Sequence, residues 1–326
     1  MNQDINTNTD SAGKISREEP LVSIIVITYN SAKYVLETLE SAKRQTYQNI
    51  ELIVSDDCST DETIDICREW LNENKERFVR TNLITSEKNT GISSNCNRGV
   101  HAARGIWIKL IAGDDILTNN SLELFAKQTS IPFESKVHFI FGACQKIIGD
   151  QINEDIEMPT SQFKEMDARE QFLYLIREGN VMHGPTSFIN RNALQNIGGY
   201  DERIKYSEDW PLWIKATDNG NKLFFINDVV AYYRVHDHGI YSKTLINHSY
   251  DKRLKDSVHL ISELYLLPLL CREKLYFDYW HVYLNLLKEK NLSRRFKHFI
   301  YYSLQITDIK AIAHIYRKIR VKFCAI

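Results

Sequence analysis

The sequence is short of several things that would mark a familiar class. Its six cysteines, Cys58, Cys67, Cys96, Cys144, Cys271 and Cys324, are scattered through 326 residues with no C-x-x-C pair. That spacing suits neither a zinc site nor a dense disulfide framework, and reduced thiols in a cytoplasm are the simpler reading. There is no excess of charge: 41 Lys plus Arg face 42 Asp plus Glu, a formal net charge of -1. Such a balance supplies no global field for gripping nucleic acid, so no nucleic-acid partner is expected. No uninterrupted apolar run reaches the roughly 18 residues of a bilayer-spanning helix. The polar stretch from Met1 to Glu19 holds no hydrophobic segment fit for a secretory signal. Also missing are G-x-G-x-x-G after a strand, G-x-x-x-x-G-K-[ST], H-E-x-x-H and G-x-S-x-G. These absences argue against a Rossmann dehydrogenase, a P-loop ATPase, a simple zinc protease and a serine hydrolase.

What is present is globular: 43% hydrophobic, 25% charged and 11% aromatic residues, in a length that suits one large or two coupled units. Residues 1–19 carry few groups worth burying and read as a flexible leader. From Pro20 the texture changes. VSIIVIT, Val22 to Thr28, is a continuous β-branched run, the pattern of a strand buried on both faces. Asn30 or Ser31 is then placed to cap a helix running to about Arg44. IELIVS, Ile50 to Ser55, reads as a second strand, followed by a helix through Trp70 and Leu71 that Thr60 or Asp61 caps. VRTNLIT, a helix over Ser93 to Ala103, and IWIKLI continue the series. Strands alternating with helices predict right-handed crossovers and a doubly wound, mainly parallel α/β sheet, whose ligands lie at the carboxyl ends of its strands. Those ends carry Thr28-Tyr29-Asn30, Asp56-Asp57 and Asp114-Asp115.

Beyond Asp115 the alternation loosens. VHFIFGACQKII, PTSFINR and FFINDVVAYYRVH read as strands, and EDWPLWIKATDNG as a helix ending at Gly220. From about Ser242 the chain turns helical, with apolar faces in SVHLISELYLLPLL and DYWHVYLNLLKEK. Leu286 to Ile326 holds ten Lys or Arg against two acids, interleaved with aromatics. This segment reads either as a surface helix meeting anionic lipid or as a packing or dimer contact. The expected division is a leader at 1–19, a core unit at 20–240 with halves 20–118 and 119–240, and a helical, basic region at 241–326.

Asp114 and Asp115 follow a buried run, and adjacent carboxylates repel each other unless a cation, a sugar hydroxyl or hydrogen-bond donors relieve them. Oxygen ligands of this kind suit Mg²⁺ or Mn²⁺ bridging to phosphates; the plainer alternative is a solvated turn or helix cap. Glu208-Asp209 opens a helix, where acids are favoured in any case. Trp210 and Trp213 lie three apart on that helix and read as core rather than as a sugar platform. His183, in VMHGPTS, is a further candidate for the acceptor cleft.

VSIIVITYNSAKYVLETLESAKRQTYQNIELIVSDDCSTDET, then NTGISSNCNRGVHAARGIWIKLIAGDD, resembles the nucleotide-sugar half of the family 2 glycosyltransferases, whose fold is called GT-A. The resemblance spans Pro20 to Asp115 and resumes at IGGYDE, SEDWPLW and YRVH. It implies that Thr28 and Asp57 meet the uracil of a UDP-sugar, with Tyr29 and Asn30 shaping the pocket. Asp114 would hold ribose or sugar hydroxyls, and Asp115 and His236 would ligate a Mn²⁺ or Mg²⁺ ion on the diphosphate. Arg234 would be a further phosphate contact and Asp209 the catalytic base. Two departures stand out: Ala112 replaces the first aspartate of the family's fuller acidic motif, and Cys96 occupies the usual arginine of N-x-G-x-x-x-x-R-N-x-G.

The implied function is an inverting, metal-dependent transfer of sugar from UDP to an acceptor hydroxyl on a saccharide or lipid-linked saccharide. The setting would be cell-surface polysaccharide assembly, in the cytoplasm or peripheral to the inner face of the plasma membrane. Two rivals are a sugar nucleotidyltransferase and a non-catalytic nucleotide-sugar-binding protein. The first normally opens with a glycine-rich, arginine-containing loop where this chain has TYNSAKY.

Overall fold

The computed structural model describes residues 19–129, 137–236 and 252–289. Residues 1–18 of the expected leader, and the basic segment from 290 onward with its lipid-facing reading, lie outside them. The strands are β1 (Val22–Thr28), β2 (Ile50–Asp56), β3 (Arg80–Thr85), β4 (Trp107–Ala112), β5 (Ile116–Leu117), β6 (Phe139–Ile148), β7 (Gln151–Ile152), β8 (Ser187–Asn190) and β9 (Leu223–Val235). The helices of the first two thirds are α1 (Val35–Lys43), α2 (Thr63–Asn74), α3 (Ile92–Ala102), α4 (Ser121–Thr129), α5 (Ser161–Glu165), α6 (Ala168–Glu178), α7 (Arg191–Asn196) and α8 (Asp209–Asp218). After residue 251 come α9 (Lys252–Ile261), a π-turn at Ser262–Leu266, α10 (Leu267–Arg272) and α11 (Tyr276–Glu289).

The sheet runs β3-β2-β1-β4-β8-β6-β9-β5, with β7 as a short hairpin partner of β6. β3, β2, β1 and β4 form a parallel block whose register sets Thr28 beside Asp56 and Ile27 beside Ala112. β6 and β9 are parallel over a long ladder with a bulge, while the antiparallel ladders at β8, β7 and β5 hold only two or three residue pairs each. The expectation of a mainly parallel, doubly wound sheet is met.

The continuous apolar run of β1 has a direct cause. Val22, Ile24 and Val26 face a core with Val35 and Leu39 of α1, Trp70 of α2 and Phe125 of α4. Ile25 and Ile27 face the opposite core with Val100 of α3, Phe172 of α6 and Trp213 of α8. A period-two strand between two helical layers buries every position, so its residues are mainly apolar, and the polar exception Ser23 donates its hydroxyl to Glu51. The same second core takes Ile261, Leu266 and Leu270, so the C-terminal helices pack onto the sheet's α3–α8 side.

Local details differ from the sequence reading. α1 begins at Val35 without a side-chain cap; Asn30 instead adopts a left-handed φ of 52°. Its Oδ1 accepts the Thr60 N–H at 2.8 Å, and the turn before α1 closes on the Ser31 carbonyl. SVHLISELYLLPLL is not one uniform helix, because Pro268 sits in the first turn of α10. Proline has no N–H and its ring crowds the carbonyl four residues back, and the preceding π-turn widens the helix there.

Candidate active site

One cavity of about 500 Å³ opens at the carboxyl ends of β1, β2 and β4, and it is lined from both halves of the chain. Its first wall is built by the tips of β1 and β2. The Thr28 hydroxyl donates to Asp56 Oδ2 at 2.8 Å, and Asp56 also accepts the Ser59 N–H and hydroxyl. Asp57 is buried and accepts four bonds: the Thr90 hydroxyl and Arg98 guanidinium on Oδ1, and the Thr90 and Gly91 N–H groups on Oδ2. Gly91 has φ 93°, and a Cβ there would lie 2.8 Å from the Lys205 Cβ, so this turn requires glycine. Tyr29 stands 47% exposed at the rim, an aromatic face available to a planar ligand.

The departure at Cys96 has a structural answer. Its side chain is wholly buried, and burial pushes its thiol well above the ordinary range. The guanidinium beside Asp57 comes instead from Arg98, which also donates to the Asp56 carbonyl and to Asn95 Oδ1. Cys96 thus faces the core, and the guanidinium that meets Asp57 stands two residues along the same helix.

The second wall forms where β5 pairs with β9. Ile116 opposite Tyr232 and Leu117 opposite Ala231 bring Asp114-Asp115 beside Arg234 and His236. His236 Nε2 lies 2.9 Å from Asp114 Oδ2, and its ring packs against Tyr34. Asp115 is buried, with Oδ1 accepting the Arg234 N–H at 2.9 Å. Burial, reinforced by the charge of Asp114, lifts its carboxyl well above the usual range. Arg234 is already engaged: it donates to the Asp114 carbonyl and to Glu37 and lies over the Tyr34 ring. By type, these carboxylates and the imidazole suit a hard or borderline divalent cation; Asp114 and His236 already meet, while Asp115 Oδ1 is turned to the Arg234 N–H, so among the described residues the three do not converge as a ready-made ligand set.

The third wall belongs to the acceptor half. Glu208 and Asp209, at the start of α8, both line the cavity; they are surrounded by protein yet keep a window onto it. Asp209 Oδ2 accepts the Asn180 carboxamide at 2.8 Å, and Oδ1 accepts the Trp210 N–H at 2.7 Å. Burial raises both acids: Glu208, with the Asp209 charge adding to it, is pushed up to about 8, and Asp209 moves the same way. Lys109 of β4 is wholly buried and donates to the Pro185 and Ser187 carbonyls, fixing the Gly184-Pro185 edge of the cavity. Burial brings its ammonium down to about 7.

The cavity thus gathers Thr28, Tyr29, Asn30, Asp57, Asp114, Asp115, Asp209, Arg234 and His236 of the residues that the sequence singled out. Trp213 is core, edge-on to Phe141, and Trp210 donates its indole N–H to the Leu175 carbonyl. His183 does not line the cavity; it lies 3.0 Å from Glu157, and with the buried Cys144 the three bring potential ligand atoms within 4.8 Å of one another elsewhere. Sequence reasoning missed Asn180, Lys109, Tyr206 and Arg253. Asn180 sits in an aperiodic loop, and Arg253 reaches the cavity from α9, far along the chain.

Comparison with known proteins gives the family and the fold. The family described as Glycosyl transferase family 2 matches residues 23–198, more than half of the chain. An uncharacterized glycosyltransferase of Rickettsia prowazekii is 29% identical over 219 residues, covering 67% of this chain; the match spans 64% of that relative's length. Among solved structures, S. aureus TarS 1-349 in complex with UDP-GlcNAc aligns with a TM-score of 0.55 at 23% identity, over 74% of this chain and 65% of that one. The mannosyltransferase PcManGT from Pyrobaculum calidifontis, in complex with GDP-Man and Mn2+, aligns with a TM-score of 0.51 at 18% identity, over 88% and 80%. At these identities the structural likeness establishes a shared fold of the GT-A kind.

Proposed function

The chain belongs to glycosyltransferase family 2, and from that premise we propose that it moves a sugar from a nucleotide diphosphate, most simply UDP, to an acceptor hydroxyl with inversion. The observation that best supports this reading is the convergence of the donor-side tips, the Asp114-Asp115-His236 corner and Asp209 on one cavity.

Asp115 and His236, with Asp114 beside them, would hold a Mn²⁺ or Mg²⁺ ion, as their oxygen and imidazole donors suit. Bound there, such an ion supplies positive charge against the departing diphosphate. The protein's own residues do the rest. Tyr29 offers its ring face to the base, with Thr28, Asn30 and Asp57 shaping the pocket, and Asp114 takes ribose or sugar hydroxyls. Asp209 accepts the acceptor's hydroxyl proton as the oxygen attacks from the face opposite the leaving group. Asn180 and the Trp210 N–H fix its orientation. Glu208, protonated over much of the neutral range, leaves the ionised charge of the pair to Asp209.

An acceptor carried on a saccharide or lipid-linked saccharide, in cell-surface polysaccharide assembly at the cytoplasmic membrane face, completes the proposal. Among the described residues no helix is long and apolar enough to cross a membrane. The test uses the full chain with a panel of nucleotide sugars, with and without Mn²⁺, reading sugar transfer and nucleoside diphosphate release. Asp209→Asn is expected to keep nucleotide affinity while transfer falls by roughly 10²–10⁴-fold. Unchanged turnover in that variant removes Asp209 from the mechanism.

A further inference from the structure

We infer that Cys144, Glu157 and His183 form a zinc-binding site in the second half of the chain, outside the lining of the cavity and independent of the transfer reaction proposed there. The Cys144 Sγ, a Glu157 carboxylate oxygen and a His183 ring nitrogen all lie within 4.8 Å of one another.

Three stretches of chain bring these atoms together. Cys144 lies in β6, where its N–H donates to the Glu157 carbonyl at 3.0 Å and its carbonyl accepts the Glu157 N–H at 2.8 Å. Residues that exchange both bonds stand directly opposite each other, with their side chains on one face. His183 arrives from the loop before the short helical turn at Gly184–Thr186, and its carbonyl accepts the Thr186 N–H and hydroxyl. Its ring meets that of Tyr233, with centroids 6.0 Å apart. Backbone pairing therefore sets two members of the trio and a hydrogen-bonded turn sets the third.

The carboxylate supplies a second, independent observation. Glu157 Oε1 is paired with the Lys146 ammonium, but Oε2 is shut off from solvent and accepts no hydrogen bond among the described residues. His183 Nε2 lies 3.0 Å from it, close but off the line of a hydrogen bond. Leaving a buried carboxylate oxygen without a donor is costly, and a cation held between it, the imidazole and the sulfur removes that cost. Lys146 then acts as the outer partner that keeps a ligating carboxylate in place. The spacing agrees. Bonds of about 2.0–2.3 Å at tetrahedral angles put the ligand atoms of zinc about 3.3–3.6 Å apart. That separation falls between the 3.0 Å contact and the 4.8 Å limit of the trio.

The donor types choose the metal. A thiolate with an imidazole and a carboxylate favours Zn²⁺ over Mg²⁺ or Mn²⁺, the ions that suit the Asp114-Asp115-His236 corner. Binding releases the thiol proton to solvent as the sulfur–zinc bond forms. Cys144 is wholly buried, which hides its sulfur from a large substrate and argues against a nucleophile. An ion can still enter past Glu157 and His183, which are both partly exposed. His183 directly precedes Gly184 and Pro185 of the cavity lining, so zinc here ties β6 to that edge.

The test strips the full chain of metal with a chelator, loads it with Co²⁺ as a spectroscopic stand-in and then displaces the Co²⁺ with Zn²⁺. The wild type should show a thiolate-to-cobalt charge-transfer band in the near ultraviolet that Zn²⁺ erases. Co²⁺ held at Asp114, Asp115 and His236 has no sulfur ligand and gives no such band, so the two metal sites are read apart. Cys144→Ser should abolish the band. His183→Gln, at a partly exposed position that spares the fold, should weaken Zn²⁺ by about 100-fold or more, beyond what loss of an outer partner costs. A wild type without the band overturns the assignment. So does a band that persists in Cys144→Ser, because another cysteine then supplies the sulfur. Zn²⁺ affinity unchanged in His183→Gln overturns it as well.

Discussion

At the tips of β1 and β2, Asp57 accepts four hydrogen bonds and Asp56 three, all from the protein itself. Across the cavity, Asp209 accepts two, and Glu208 beside it is pushed up to about 8. The donor wall is rigid before any ligand arrives, because its acids act as knots that tie the strand ends to the turn at Thr90-Gly91. The acceptor wall holds two acids against their preference for water, which keeps a strong proton acceptor at the surface of the cavity. Within one cavity, acids of the same type thus do opposite work. Where donors saturate a carboxylate it becomes scaffold, and where burial outweighs the donors it becomes reactive.

The comparison breaks most sharply at Asp57. Asp57→Ala leaves the Thr90 and Gly91 N–H groups without their acceptor and Arg98 without its carboxylate. Removing one partner of a buried pair costs roughly 3–5 kcal/mol, and since Arg98 keeps 21% of its side chain exposed the loss should sit near the lower end, about 3 kcal/mol. Urea unfolding measures it. A loss under about 1 kcal/mol would mean that the turn is held by other contacts and that Asp57 is free to serve a ligand.

A smaller effect separates the walls by pH. Glu208 binds its proton more tightly in the folded protein, at about 8, than in the unfolded chain, at about 4.3. Its stabilising contribution is complete below about pH 4.3 and is lost as pH rises toward 8, since the folded state holds the extra proton in that window. Glu208→Gln removes that slope. The melting temperature of the wild type should fall relative to the variant between about pH 5 and 9, followed by thermal unfolding across that range. Parallel curves would show that the Glu208 carboxyl is solvated like any surface acid. Because Asp209 is raised as well, the acid limb of the transfer profile should lie above the ordinary carboxylate range.

How far each wall could be read from the chain follows the same division. The parallel block was legible because Ile24–Ile27 and Leu52–Val54 are apolar at consecutive positions, the pattern of a strand buried on both faces. The strand tips followed, since Thr28, Asp57 and Asp114-Asp115 end those runs. The Cys96 departure was visible, but not that Arg98 would swing back to Asp57, since helix spacing alone does not say which loop a guanidinium meets. Nor could the chain reveal that Asp57 is saturated, as Thr90 and Gly91 lie in a turn of no fixed period. Arg253 reaches the cavity, Asn180 the Asp209 carboxylate and Lys109 the Pro185 carbonyl by tertiary packing across long separations, and no local pattern carries that information.

The least effect is expected where the C-terminal helices meet the domain. Tyr265, in the π-turn between α9 and α10, donates its hydroxyl to Asp201 Oδ2 at 2.7 Å, joining that region to the loop that carries Tyr206. Asp201 is held down to about 2, first by Arg203 and only then by Tyr265. Removing the tyrosine hydroxyl therefore leaves the carboxylate paired with the Arg203 guanidinium, and no buried charge is orphaned. Tyr265→Phe should cost about 1 kcal/mol, the net worth of one hydrogen bond whose acceptor keeps another partner. A loss of about 3 kcal/mol or more in urea unfolding would make this contact as structural as the Asp57 knot. The C-terminal helices would then be as firmly bonded to the domain as the donor wall is to itself.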